Sequence, residues 1–190
     1  MVAAGPVPGR LLVVTGPPGA GKSTVTALLA DRASPSVLVA GDAFFGFLAR
    51  GAIEPWLPAS HAQNEAVTQA AAAAAGRYAA GGFTTVYDGV VGPWFLPTFA
   101  AATGLVNLDY VFLLPPVEVC VERVATRAGH GFTDEPATRK MHAEFAAATR
   151  ADGLGRGHVL TPADVGDDAG IVADRIATAQ DAGHLAYRPA

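Results

Sequence analysis

The chain has 190 residues, of which 51% are hydrophobic, 16% charged and 8% aromatic, with a formal net charge of −4 at pH 7. That length suits one domain with its own core, and the low charged fraction excludes disorder over most of it. The acidic balance removes the basic footprint of a general nucleic-acid binder, and no apolar run reaches the ~20 residues of a membrane-spanning helix. The single cysteine, Cys120, cannot form an internal disulfide or a thiolate metal cluster, which fits a reducing compartment. The opening residues Met1 to Pro6 lack the basic and apolar regions of a secretory signal, so a cytoplasmic protein with no membrane or nucleic-acid partner is expected.

In chain order, residues 10–15 form a continuous apolar, partly β-branched run, the pattern of a strand buried on both faces. A glycine-rich turn leads into a helix over 22–32, followed by a second strand at 36–40. A short helix is expected over 43–50 and an irregular, proline-punctuated stretch over 53–58. Residues 60–80 read as a long helix starting from a Ser60 cap. A third strand follows at 83–87, a helix at 93–102, a fourth strand at 109–114 and a helix at 116–127. A loop over 129–134 precedes a helix at 136–150, a short fifth strand at 158–160 and a last helix over 163–180. The polar tail, about 182–190, is expected to fray. Strands alternating with helices imply right-handed crossovers and a parallel sheet covered on both faces. The fold class is therefore α/β: a single three-layer domain over 1–190 around a five-stranded parallel sheet, with ligands gathering at the carboxyl ends of the strands.

Residues Gly16, Pro17, Pro18, Gly19, Ala20, Gly21, Lys22 and Ser23 satisfy G-x-x-x-x-G-K-[ST], with a strand before and a helix after. The glycines let backbone N–H groups turn inward around an anion, and the helix start adds partial positive charge. Lys22 would reach the β- and γ-phosphates, with Thr24 beside it, and the Ser23 hydroxyl would ligate Mg²⁺. Asp42 and Asp88 each end an apolar strand, which puts both at the same sheet edge as this loop. Phosphoryl transfer needs two acids there, one orienting or deprotonating the attacking hydroxyl and one near the metal. Asp42, preceding a helix, is also a competent N-cap.

On these residues the chain resembles the small-molecule kinases of the P-loop superfamily: gluconokinase, shikimate kinase, chloramphenicol phosphotransferase and the zeta-toxin-type kinases. The resemblance spans about 10–180. Gly41-Asp42-Ala43-Phe44 resembles their Gly-Asp segment, Tyr87-Asp88-Gly89 the Asp-Gly of adenylate kinases, and Arg127-Ala128-Gly129-His130 the start of the gluconokinase lid. It implies ATP and Mg²⁺ as cofactors, Asp42 as base and acceptor ligand, and Asp88 as the acid near the metal and the substrate. It also implies a short mobile lid at about 127–139.

Arg123 and Arg127 stand four apart on one helix face at the lid's base, with Arg139 beyond it. Arg127, at the hinge, is the first choice for stabilising the transferring phosphoryl group, and Arg123 the second nucleotide contact; all three could equally pair with Glu118, Glu122, Asp134 and Glu135. The acceptor is expected against Asp42, Phe45, Trp56, Asp88 and Trp94, where those aromatics could instead be core. No basic residue lies between Asp88 and Leu108, whereas carboxylate or monophosphate acceptors need an arginine clamp. The expectation is a phosphotransferase acting, as monomer or homodimer, on a hydroxyl of a largely neutral small molecule. A nucleoside-monophosphate or sugar-acid kinase, and a non-catalytic ATP-binding or ligand-sequestering protein, remain as alternatives.

Overall fold

The five apolar runs become five parallel strands, β1 (Leu11–Thr15), β2 (Ser36–Ala40), β3 (Thr84–Asp88), β4 (Leu108–Leu113) and β5 (Val159–Leu160), arranged in the order β2-β3-β1-β4-β5. The computed structural model describes residues 9–126, 132–151, 158–161 and 168–188. Helices α1 (Lys22–Asp31), α2 (Asp42–Phe45), α3 (His61–Ala80), α4 (Leu96–Thr103), α5 (Val117–Thr126), α6 (Glu135–Ala151) and α7 (Ala169–Asp181) connect them. The parallel register pairs Val14 with Asp88 and Val14 with Val111, which brings the carboxyl ends of β1, β3 and β4 level.

Period-two alternation explains why β1 is apolar throughout. Leu11 and Val13 face a layer formed with Ala71, Ala72 and Ala75 of α3, Phe99 of α4 and Phe145 of α6. Leu12 and Val14 face the opposite layer, with Val25 and Leu29 of α1 and Val172 and Ile176 of α7. The alanines of α3 are thus packing residues whose small size lets helix and sheet approach closely.

Three local expectations are corrected. The helix expected over 43–50 ends at Phe45: Gly46 follows, α2 buries no residue, and Phe47 is 75% exposed. The Ser60 side chain does not cap α3; its hydroxyl donates instead to the carbonyls of Pro55 (2.8 Å) and Leu57 (2.7 Å). The last helix begins at Ala169, where the Asp168 carboxylate accepts the Gly170 amide at 2.7 Å.

The tail is not frayed over its described part. Ala186–Tyr187 forms β6, antiparallel to the amino-terminal half of β4, and Leu185 is fully buried against the α1/α7 layer. Arg10 and Gln180 converge on Asp109 (3.1 and 2.8 Å) at the same edge of the sheet. Leu185→Ala should therefore cost about 2–5 kcal/mol, as for other buried leucines, and lower Tm by about 5–15 °C in thermal denaturation. An unchanged Tm would show that the tail contributes nothing to stability.

Candidate active site

β1 ends at the buried Thr15, and residues 16–21 must turn the chain into α1 at the carboxyl edge of the sheet. Gly19 (φ 79°) carries this turn, since a side chain there would run into the backbone of Cys120 on α5. The loop therefore rests directly on α5. Lys22 folds back over it, its Nζ donating to the carbonyls of Gly16 (3.0 Å) and Pro17 (3.1 Å). Arg123 leans over the same loop, with Nη1 3.4 Å from the Gly19 carbonyl oxygen. Beneath it, burial pushes the Cys120 thiol up to about 11, although Lys22 and Arg123 pull the other way.

Asp42 opens α2, two residues past the end of β2. The Gly41 amide donates to the Asp88 carbonyl at 2.6 Å, so the two acid-bearing strand ends are tied together. Between them lies Tyr87. Its phenol is held well above its ordinary pKa, first by burial and then by the charges of Asp42 and Asp88, so the hydroxyl stays neutral. The stretch after β3 is fixed through Val91: its amide donates to Thr15 Oγ (2.8 Å), and its carbonyl accepts from the Tyr110 hydroxyl (2.8 Å). This sets where Trp94 and Phe95 stand.

A cavity of about 380 Å³ opens at this edge. Of the residues singled out in the sequence, Pro18, Gly19, Lys22, Ser23, Asp42, Phe45, Trp56 and Trp94 line it together. Gly16, Pro17, Ala20 and Gly21 complete the loop behind them, and Thr24 lies exposed on α1. Asp88 lies half-buried at the end of β3 and is not among the lining residues. Arg127, like His130, lies outside the described residues. Arg139 sits on α6 and binds Glu118 through two 2.8 Å bonds and Glu135 through another. Those bonds raise the Arg139 pKa and lower that of the exposed Glu118. No arginine lines the cavity among the described residues.

Sequence reasoning missed one whole wall. Ala137, Lys140, Met141 and Glu144, at i, i+3, i+4 and i+7 of α6, line the cavity; the helical spacing was legible, but not the neighbour that face would meet. Lys140 and Glu144 stand 4.0 Å apart, a partly self-neutralised pair. Phe132, edge-on to Trp56 at 4.9 Å, was also unassigned; Phe95, stacked on His61 at 5.5 Å, lines the cavity too.

The glycine-rich loop at the start of α1, with Lys22 folded over it, suits a polyphosphate. Ser23 and Asp88 offer the hard oxygen donors that Mg²⁺ takes alongside water and phosphate oxygens. No group of three or more His, Cys, Asp or Glu side chains that could hold a metal alone occurs among the described residues, and no described helix is long and apolar enough to cross a membrane.

Three solved structures share this architecture. A gluconokinase from Sinorhizobium meliloti 1021 is 19% identical with a TM-score of 0.60, covering 94% of this chain and 95% of its own. The tunicamycin resistance protein of Deinococcus radiodurans is 19% identical with a TM-score of 0.58, covering 90% and 94%. The APS kinase of Mycobacterium tuberculosis, in complex with AMPPNP and APS, is 18% identical with a TM-score of 0.62, covering 93% and 99%. At these identities the likeness establishes the fold, that of the P-loop kinases. No curated protein sequence matches the chain. A family model described as an AAA domain matches residues 11–151, most of the chain and all of the loop and both strand-end acids. The chain belongs to this AAA domain family.

Proposed function

We propose that this protein is a Mg-ATP-dependent phosphotransferase that moves the γ-phosphoryl group to a hydroxyl of a largely uncharged small molecule. One observation carries the reading. The phosphate loop and Asp42 face a single cavity of about 380 Å³, within the ~300–1,000 Å³ usual for small-ligand sites, and six of its other described lining residues are aromatic. No arginine is among its described lining residues, and Lys140 already has Glu144 beside it at 4.0 Å, which weighs against a monophosphate or sugar-acid acceptor, whose charge would need pairing on burial.

In this mechanism the loop amides and Lys22 hold the β- and γ-phosphates of ATP, and Lys22 leaves its resting carbonyl contacts to do so. Arg123, already over the loop, is the nearest described arginine to share that charge, with Arg127 joining it from the lid. Asp42 orients the acceptor hydroxyl and takes its proton as the new O–P bond forms; the bond from the γ-phosphorus to the bridging oxygen breaks and ADP leaves. Ser23 and Asp88 would hold Mg²⁺, which when bound would supply positive charge against the phosphates. The aromatic walls exclude water, which limits transfer to water in place of the acceptor. We place this activity in the cytoplasm, with no nucleic-acid or membrane partner.

ADP release should be followed across neutral alcohols, nucleosides, glycosides, sugar acids and nucleoside monophosphates, with the phosphoproduct identified by mass spectrometry. A neutral hydroxyl compound should dominate; a dominant monophosphate or sugar acid overturns the acceptor assignment. Asp42→Asn should lower kcat/KM by about 10²–10⁴-fold, the usual share of general-base catalysis, while leaving the ATP Kd within twofold. Retention of near-full activity in that variant rules Asp42 out as base. Lys22→Ala should reduce kcat by about 10²–10³-fold, the scale of one lost electrostatic contact to the transition state.

A further inference from the structure

Trp94, in the loop after β3, lines the cavity and is 43% exposed, yet its position is tightly set. Val91, before it, is tied through both backbone groups to Thr15 and Tyr110 (2.8 Å each). The Gly92 carbonyl accepts the amides of Phe95 (2.8 Å) and Leu96 (3.1 Å), which closes a turn across Trp94. A Cβ on Gly92 would collide with the six-membered ring of the indole, so glycine there makes the seat for it. The indole also packs on the fully buried Phe145 of α6, with ring centres 5.3 Å apart and planes tilted by 60°. Indoles are highly buried on average, because of the apolar area they carry. One that is seated and still open offers that area to a ligand with little further ordering cost.

Two further lining rings are held in the same manner, each against a second ring. Trp56, in the stretch before α3, meets Phe132 edge-on at 4.9 Å, and both line the cavity. Phe95 stacks on His61 at 5.5 Å, with 21° between the planes. These rings come from stretches of chain far apart in sequence, and all are partly open. An aliphatic guest would gain from their apolar area alone. A planar guest gains in addition from offset-stacked and edge-to-face geometry, which needs rings whose orientation is already fixed.

We infer that the acceptor carries a planar unsaturated ring, and that Trp94 selects it by stacking on that ring while Asp42 takes the hydroxyl. Trp56, Phe95 and Phe132 supply the other aromatic walls. This rests on reading the cavity as the acceptor site of a phosphotransferase. An aryl group and a nucleobase share the required chemistry, and the test separates them. The base of the nucleotide itself is the rival guest for the indole.

The test uses the 190-residue chain and two pairs of alcohols that share their hydroxyls and differ in the planarity of one ring. The pairs are phenyl and cyclohexyl β-glucoside, and uridine and dihydrouridine. Binding is measured by calorimetry in the presence of Mg-AMPPNP, and turnover separately by ADP release. Wild type should bind the planar member of at least one pair about 3–10-fold more tightly, the factor that ring geometry adds beyond area burial. The pair that responds tells an aryl group from a base. Trp94→Leu should bring that ratio to about unity, and Trp94→Phe, which keeps a planar ring, should preserve it. A purely structural fault weakens both members of a pair alike and leaves the ratio standing. A wild type indifferent to both pairs, or a ratio unmoved in Trp94→Leu, overturns the inference. Mg-AMPPNP measured alone should bind Trp94→Leu within about twofold of wild type; a larger loss puts the indole at the nucleotide's base and overturns it too. Preference for the planar member without phosphoproduct would uphold the inference and sink the phosphotransferase reading; turnover without that preference would do the reverse.

Discussion

The site depends on one buried peptide unit. Val91 lies in a loop outside the strand ladders, yet it is fully buried, and an unpaired amide or carbonyl there would be costly. Thr15, the last residue of β1, accepts its N–H, and Tyr110 in β4 donates to its C=O. These two side chains come from adjacent strands whose register is already set. The loop after β3 is therefore placed relative to the phosphate loop, one residue past Thr15, and not by its own turn chemistry. Trp94 and Phe95 inherit their positions from this bond pair.

Much of the fold could be read from residue patterns, for definite reasons. The central strands are buried on both faces and so appear as unbroken apolar runs, and the phosphate-loop spacing is tied to a strand–turn–helix context that admits few other folds. Asp42 and Asp88 were legible because a parallel sheet puts every strand's carboxyl end on one side. Asp109 makes the contrast: an acid at the amino end of β4, it is paired with Arg10 and Gln180 and has no place in the site.

What escaped depended on contacts made outside the element in which each residue lies. The α6 wall has an ordinary amphipathic spacing, and nothing local says that Lys140 and Glu144 face a cavity instead of water. Ser60 looked like a cap because it precedes a helix, but two carbonyls in the preceding bend compete for its hydroxyl. That bend, with Trp56 in it, is held to α3 by Asn64 and by Gln63, which pairs with both backbone groups of Ile53 (2.8 and 2.7 Å). The tail looked frayed because Leu185 is the one large aliphatic residue after Ile176, yet one leucine and two strand residues suffice to dock it.

The seat of the phosphate loop has a chemical consequence. Gly19 rests on the backbone of Cys120, whose side chain is fully buried and whose thiol is pushed up to about 11. Nucleophilic sulfur chemistry runs through the thiolate, the form that burial disfavours here. Peroxides and electrophiles thus find almost nothing to react with beneath the nucleotide site. The chain's single cysteine, directly under the loop, is thus held buried and in its less reactive protonated form.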